Sequence, residues 1–178
     1  MVLETGTIFI DAGIEVAPSS DLAVQTLMGT VYEIGTQFEV MQTTEDLRVR
    51  VREGAIDLER DNQRYRAEVG SQLLVENGSK LSRKSIPIYG PDWNWILELS
   101  PRFELEGSSL GEFLLWVSRE TGLAMHLSDR ASANNTRAVI LHGTVEGLRA
   151  DEALEAVLPT CDLRYSVEAG VVQIDLDS

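Results

Sequence analysis

Cysteine is almost missing from this 178-residue chain. Cys161 stands alone, so no internal disulfide can form and cysteine usage leaves the redox compartment open. It precedes a strand-like run, where a small buried hydrophobe is the expected role. Histidine is nearly as scarce. His126 and His142 each lie in a strand-like stretch without a neighbouring cysteine or a second histidine at ligand spacing, which argues against a metal site. No other feature calls for a cofactor. Positive charge is in deficit, with 15 Lys and Arg against 29 Asp and Glu and a formal net charge of −14. That balance argues against nucleic acid or an anionic membrane surface as a partner. No apolar run approaches the roughly 20 residues of a membrane span, so no membrane insertion of this chain is expected. Met1-Val2-Leu3 passes straight into polar strand sequence, and no signal peptide is expected.

What is present is ordinary for a soluble globular protein, 43% hydrophobic and 25% charged. The stretch from Gly29 to Gly54 organises the first half. Val31, Ile34, Phe38 and Val40 make a β-branched and aromatic run that Gly35-Thr36 interrupts as a bulge or bend would. Leu47, Val49 and Val51 then alternate with Arg48, Arg50 and Arg52, the period of a half-buried strand. Gly54 closes that strand, and Ile56 and Leu58 open a third. Residues 5–10 and Leu22–Thr26 read as earlier strands. Asp61-Asn62 and Asn77-Gly78 read as hairpin turns. Many short strands with no helical period imply an all-β domain over residues 1–84, whether sandwich, roll or solenoid.

Composition shifts at Ser85–Asp92, with two prolines and a glycine, and residues 85–102 read as a linker with a tryptophan-rich segment. Trp93 and Trp95, two apart, suit an extended segment, with a single helical turn the alternative. Over residues 103–178 the rhythm changes. Phe103 and Leu105 alternate with Glu104 and Glu106 as a short strand. Ser109 and Glu112 then form a capping box before Leu110, Phe113, Leu114 and Val117 on one helical face. Gly122 ends that helix. Strands are expected at Leu123–Leu127 and Ala138–Val145, and a second helix carries Ala150, Ala153, Leu154 and Val157. Leu163–Val167 and Val171–Leu176 form a closing hairpin. The expected order is β-α-β-β-α-β-β, a small α+β domain with both helices on one sheet face, and the whole chain is of mixed class.

Two ordered sets of motifs resemble known families. Gly6-Thr7-Ile8-Phe9-Ile10-Asp11-Ala12-Gly13, Ile34-Gly35-Thr36-x-Phe38-x-Val40 and Val51-x-Glu53-Gly54-x-Ile56 resemble the FecR family of transmembrane sigma-factor regulators. Phe103-x-Leu105-x-Gly107, Leu110-x-x-Phe113-Leu114, Glu120-Thr121-Gly122, Leu141-x-Gly143 and Glu152-Ala153-Leu154 resemble the short N-terminal domain of secretins and TonB-dependent receptors. The resemblance implies a periplasmic, exported portion of an inner-membrane anti-sigma factor. Its protein partner would be the signalling domain of a TonB-dependent transducer. The cytosolic sigma factor would be met only through segments lying before Leu3. A rival class is a periplasmic binding or envelope-assembly module for glycan or protein, unconnected to sigma factors.

Few residues suggest chemistry. Gly107-Ser108-Ser109-Leu110-Gly111 matches the G-x-S-x-G nucleophile elbow, with Asp129 and His142 in the chain order of its triad. The preceding strand alternates with charges, however, and a small α+β domain has no room for the doubly wound sheet such an elbow requires. Ser109 is expected to cap a helix, and the chain is expected to have no enzymatic activity. The Arg48/Arg50/Arg52 stripe is expected to be a solvated strand face paired with acids such as Glu39 or Glu53. Trp116 sits at the edge of its helix's apolar stripe and is expected to pack with Trp93 or Trp95 at the domain junction. Ile140 and Val172, each within consecutive apolar residues on a strand, are expected to face outward and contact the partner.

Overall fold

The computed structural model describes residues 1–12, 22–76, 80–129, 131 and 136–177, and it separates into two compact units, Met1–Ile88 and Tyr89–Ser178. The division falls inside the Pro- and Gly-bearing stretch of residues 85–102.

Two long strands carry the first unit. Its strands are β1 (Gly6–Asp11), β2 (Ala23–Thr26), β3 (Gly29–Gln42), β4 (Leu47–Arg60), β5 (Gln63–Glu68), β6 (Ser71–Glu76) and β7 (Lys80–Ser85). All pair antiparallel, in the order β1-β3-β4-β6-β7, with β2 added to β3 and β5 added to β4. Each 14-residue strand therefore serves two neighbours on its outer edge. The first part of β3 meets β2 and the last part meets β1, with a register irregularity between Ile34 and Phe38 where the change occurs. β4 meets β6 through Leu47–Val51 and β5 through Ala55–Arg60. Gly54, at φ 70°, stands at that switch in a backbone region open mainly to glycine. It bends the strand without ending it, so Ile56 and Leu58 continue β4 instead of opening a third strand.

The sheet curls around the apolar positions of the alternation, among them Val31, Phe38, Val40, Val49, Val51, Leu58 and Leu73. The Asp61-Asn62 turn joins β4 to β5 with both residues in the left-handed region, at φ 49° and 58°. The Asn77-Gly78 turn lies outside the described residues, and the strands it joins are paired through Glu76 and Lys80.

The second unit opens with helical turns. A 3-10 turn at Pro91–Trp93 runs into α1 (Asn94–Leu97), so the tryptophan segment is helical, with Trp93 buried and Trp95 half-buried. Then come α2 (Leu110–Thr121), β8 (Ala124–Leu127), a 3-10 turn at Thr136–Ala138, α3 (Ala150–Val157), a 3-10 turn at Leu158–Cys161, β9 (Leu163–Glu168) and β10 (Val171–Leu176). The three strands run in the order β8-β10-β9, with β8 parallel and β9 antiparallel to β10. Leu110, Phe113, Leu114 and Val117 of α2 and Ala153, Leu154 and Val157 of α3 share one core with Leu127, Leu163, Val172 and Ile174. Both helices thus lie on one face of the sheet.

Two expected strands are absent. Phe103–Leu105 keeps its alternation of burial, with Leu105 in the core and Glu104 exposed, but pairs with no strand. Around residue 140 the buried positions are Leu141 and Val145, four apart, which is not a strand rhythm. The start of α2, beyond the first stretch, meets the second at one antiparallel bridge, Ser109 to Ile140, flanked by backbone bonds from Leu110 N–H to Val139 O (2.8 Å) and Leu141 N–H to Ser108 O (2.8 Å). Among the described residues the expected order from residue 103 is met by helix α2, strand β8, helix α3 and strands β9 and β10.

Candidate functional site

In the second unit a groove of about 420 Å3 runs between the segment after α1, one side of α2 and the loop before α3. Its apolar lining includes Leu97, Pro101, Phe103, Trp116 and Leu148. Trp116 follows the core residues of α2 by a step around the helix, which leaves it half-buried. Its ring stacks on Phe103 at 5.2 Å between centroids and tilts against Phe113 at 5.8 Å. The indole N–H donates to Pro101 O at 3.2 Å, which fixes the ring's orientation. Trp116 thus finds these aromatic partners within its own unit.

The groove is also lined by the charged residues Glu98, Arg102, Glu104, Glu146 and Arg149. Arg149 donates to both carboxylate oxygens of Asp151, Nε to Oδ1 at 3.1 Å and Nη2 to Oδ2 at 2.6 Å, and through Nη1 to Glu98 at 3.2 Å. These bonds hold the Asp151 carboxyl below its usual range against a partial cost of burial, and hold the guanidinium firmly protonated. Arg102 pairs with Glu146 at 2.9 Å. Glu104 also lines the groove, and its carboxylate has no hydrogen-bond or ion-pair partner among the described residues.

The G-x-S-x-G stretch is a helix start. Ser109 Oγ accepts from Glu112 N–H at 3.2 Å, and the Glu112 carboxylate accepts from Ser109 N–H at 2.7 Å, a closed capping box. The Ser109 hydroxyl also donates to Glu112 at 2.7 Å, and these bonds to Ser109 hold the Glu112 carboxyl below its usual range. His142 Nδ1 lies 2.8 Å from Glu106 Oε1, while Gly143 N–H donates to Glu106 Oε2 at 2.7 Å. The Gly143 bond is the main reason the Glu106 carboxyl sits low, with the His142 bond second. No group of three or more His, Cys, Asp or Glu suited to a metal is found among the described residues.

The two expected partner-contact residues separate. Ile140 is half exposed, at the bridge beside the start of α2, with Val139 exposed next to it. Val172 is fully buried under the helices, which corrects its assignment as a contact residue. The inward parity of β10 belongs to Val172 and Ile174, and Val171 and Gln173 take the outward positions.

The arginine stripe of β4 is also corrected. Arg50 and Arg52 are buried at 5% and 3% exposure, and Glu39 is fully buried. Arg50 forks onto Glu39, Nε to Oε1 at 2.9 Å and Nη2 to Oε2 at 2.5 Å, and Arg48 adds a contact at 3.1 Å. The expected pairing with Glu39 is present, but Glu39 and Arg50 are closed to water and Arg48 joins them from a partly exposed position. Arg52 Nε donates to Ile88 O at 3.1 Å, tying the unit's last residue to its sheet. Sequence reading missed this cluster because alternation marks which residues share a face, not what covers that face.

No helix among the described residues is long and apolar enough to cross a membrane. No protein-family model matches the chain, and no curated protein matches it. Two crystal structures of a provisionally assigned anti-sigma factor from Parabacteroides distasonis align with it at 17% identity. They cover 99% of this chain and 80% and 81% of theirs, with TM-scores of 0.45 and 0.44.

Proposed function

We propose that this chain is the periplasmic signalling region of a FecR-type regulator, an anti-sigma factor that acts by protein–protein contact and catalyses no reaction. The β unit is a spacer and scaffold. The α+β unit receives the signalling domain of an outer-membrane TonB-dependent transducer, and ligand status passes through the regulator to a cytosolic sigma factor. The ordered FecR-type and secretin-type motifs support this reading, and the Ser109 hydroxyl, engaged in a helix cap, supports the absence of hydrolysis.

The observation that carries the docking assignment is a difference between sheet edges. The outer strand β7 of the first unit presents exposed Lys80, Arg83 and Lys84, a composition that discourages strand addition. The outer strand β9 of the second unit, Leu163–Glu168, has no lysine or proline, carries one exposed cation and one exposed acid, Arg164 and Glu168, and exposes Val167. Its outer edge pairs with no strand among the described residues. A partner strand can extend that sheet with main-chain bonds while Ile140 and Val139 offer aliphatic contact elsewhere on the unit.

The test uses the full regulator in cells with a sigma-dependent reporter, together with envelope cross-linking from this region. Deleting residues 103–178 should abolish the response to the transducer's ligand, and a transducer signalling domain should be the cross-linked partner. A reporter that still responds, or cross-links confined to glycan, would overturn the proposal.

A further inference from the structure

The groove beside Trp116 has a charge arrangement that selects its occupant. Its two arginines are already committed, Arg149 to Asp151 and Glu98, and Arg102 to Glu146. An incoming anion would have to displace one of these carboxylates. Glu104, in contrast, lines the groove without a partner among the described residues. The same groove is lined by the stacked pair of Phe103 and Trp116, and an aromatic face attracts a cation. The chain's net charge of −14 draws positive groups toward it from a distance.

We infer that this groove is a socket for an arginine side chain presented by a segment of the protein partner. The guanidinium lies against the Phe103–Trp116 wall and forks onto the Glu104 carboxylate, and the aliphatic stem runs along Leu97 and Leu148. Arginine fits better than lysine, because its planar group both stacks on a ring and meets a carboxylate through two parallel bonds. The bond from Trp116 Nε1 to Pro101 O holds the indole in place before the ligand arrives, so little ordering is needed on binding. The inference rests on the reading that a protein docks on this unit, and it adds the chemistry that partner must carry.

The experiment titrates the full 15N-labelled chain with a blocked serine-arginine-serine tripeptide. The citrulline analogue, of nearly the same shape without charge, and the glutamate analogue are the comparators. The arginine peptide should shift the Trp116 indole and Glu104 amide signals saturably, and citrulline should bind about tenfold more weakly or worse. Glu104→Gln, an exposed substitution, should reduce arginine binding to the citrulline level. Equal binding of arginine and citrulline, or shifts scattered over the acidic surface without saturation at the groove, would overturn the socket. A transducer domain that binds wild type and Glu104→Gln equally would also overturn it, while leaving the docking reading intact. Saturable arginine binding in a chain that no transducer recognises would uphold the socket and sink the docking reading instead.

Discussion

The two units finish their sheets in different ways. In the first, β3 and β4 are paired along both edges for almost their whole length, and Glu39 and Arg50 form a buried ion pair that Arg48 joins from a partly exposed position. In the second, a three-stranded sheet buries one face under α2 and α3 and leaves Ala124, His126, Ser166 and Gln173 on exposed positions of its strands. In the first unit the buried ion cluster joins Glu39 and Arg50, which are paired across β3 and β4. The second packs an apolar core under its two capped helices, and it keeps a groove and an open edge.

Breaking the cluster should have the largest effect. Glu39→Gln leaves buried Arg50 without that carboxylate, and loss of one partner of a buried pair costs about 3–5 kcal/mol. Denaturant unfolding should show this loss, and a double change of Glu39 and Arg50 to leucine should recover part of it. A single change that leaves stability untouched would mean the cluster is wet and the contrast between the units is false.

The equivalent point in the second unit is Gly170. It sits at φ 82° in the β9–β10 turn, and a Cβ there would lie 2.3 Å from Tyr89 Cε1. Gly170→Ala should destabilise by about 2–3 kcal/mol through the backbone and the clash together. Adding Tyr89→Ala should relieve the clash and leave the backbone part. Thermal melts that do not separate these two components would contradict the seating of Tyr89.

Ser109→Ala should cost about 1 kcal/mol through the lost N-cap. It should alter no turnover, and esterase activity that vanishes with this change would overturn the non-enzymatic reading. The smallest effect concerns acid. Asp151, Glu106 and Glu112 are held below the usual carboxylate range, so their contribution is present above the unfolded value of about 4. It is lost as pH falls through their lower folded values. The thermal midpoint should therefore drop in that acid range, and the drop should shrink in Asp151→Asn. An identical acid profile in that variant would remove the Arg149 pair from the account.

Local signals in the sequence were reliable where one residue type decides the backbone. The Ser109–Glu112 box, the Gly122 cap at φ 74°, and the Asp61-Asn62 turn all depend on neighbours in the chain. The outline of the groove was less visible, because Trp116 announced only that an aromatic ring stood at the edge of a helix stripe. Its stacking on Phe103 needs two segments brought together by the fold. Phe103–Leu105 shows the limit most directly. The alternation marked which side chains turn inward, yet a strand also needs a neighbour to pair with, and the one bridge nearby falls beyond it, at Ser109. Val172 failed for a related reason, since two adjacent apolar residues reveal that one points outward but not which. The buried Arg50 and Arg52 failed because no local pattern tells a solvated charge from one covered by distant chain.

The central claim, that the second unit is where a transducer docks, is tested most directly by calorimetric titration of the full chain with a transducer's signalling domain. Wild type, Ile140→Asp and Lys84→Glu should be compared, the latter two being exposed changes on the second and first units respectively. The account predicts that Ile140→Asp raises Kd about tenfold or more, roughly the loss of 1.4 kcal/mol, with its melting midpoint unchanged. Lys84→Glu should bind like wild type. Loss of binding in Lys84→Glu with Ile140→Asp unaffected would contradict the claim and move the docking surface to the β unit.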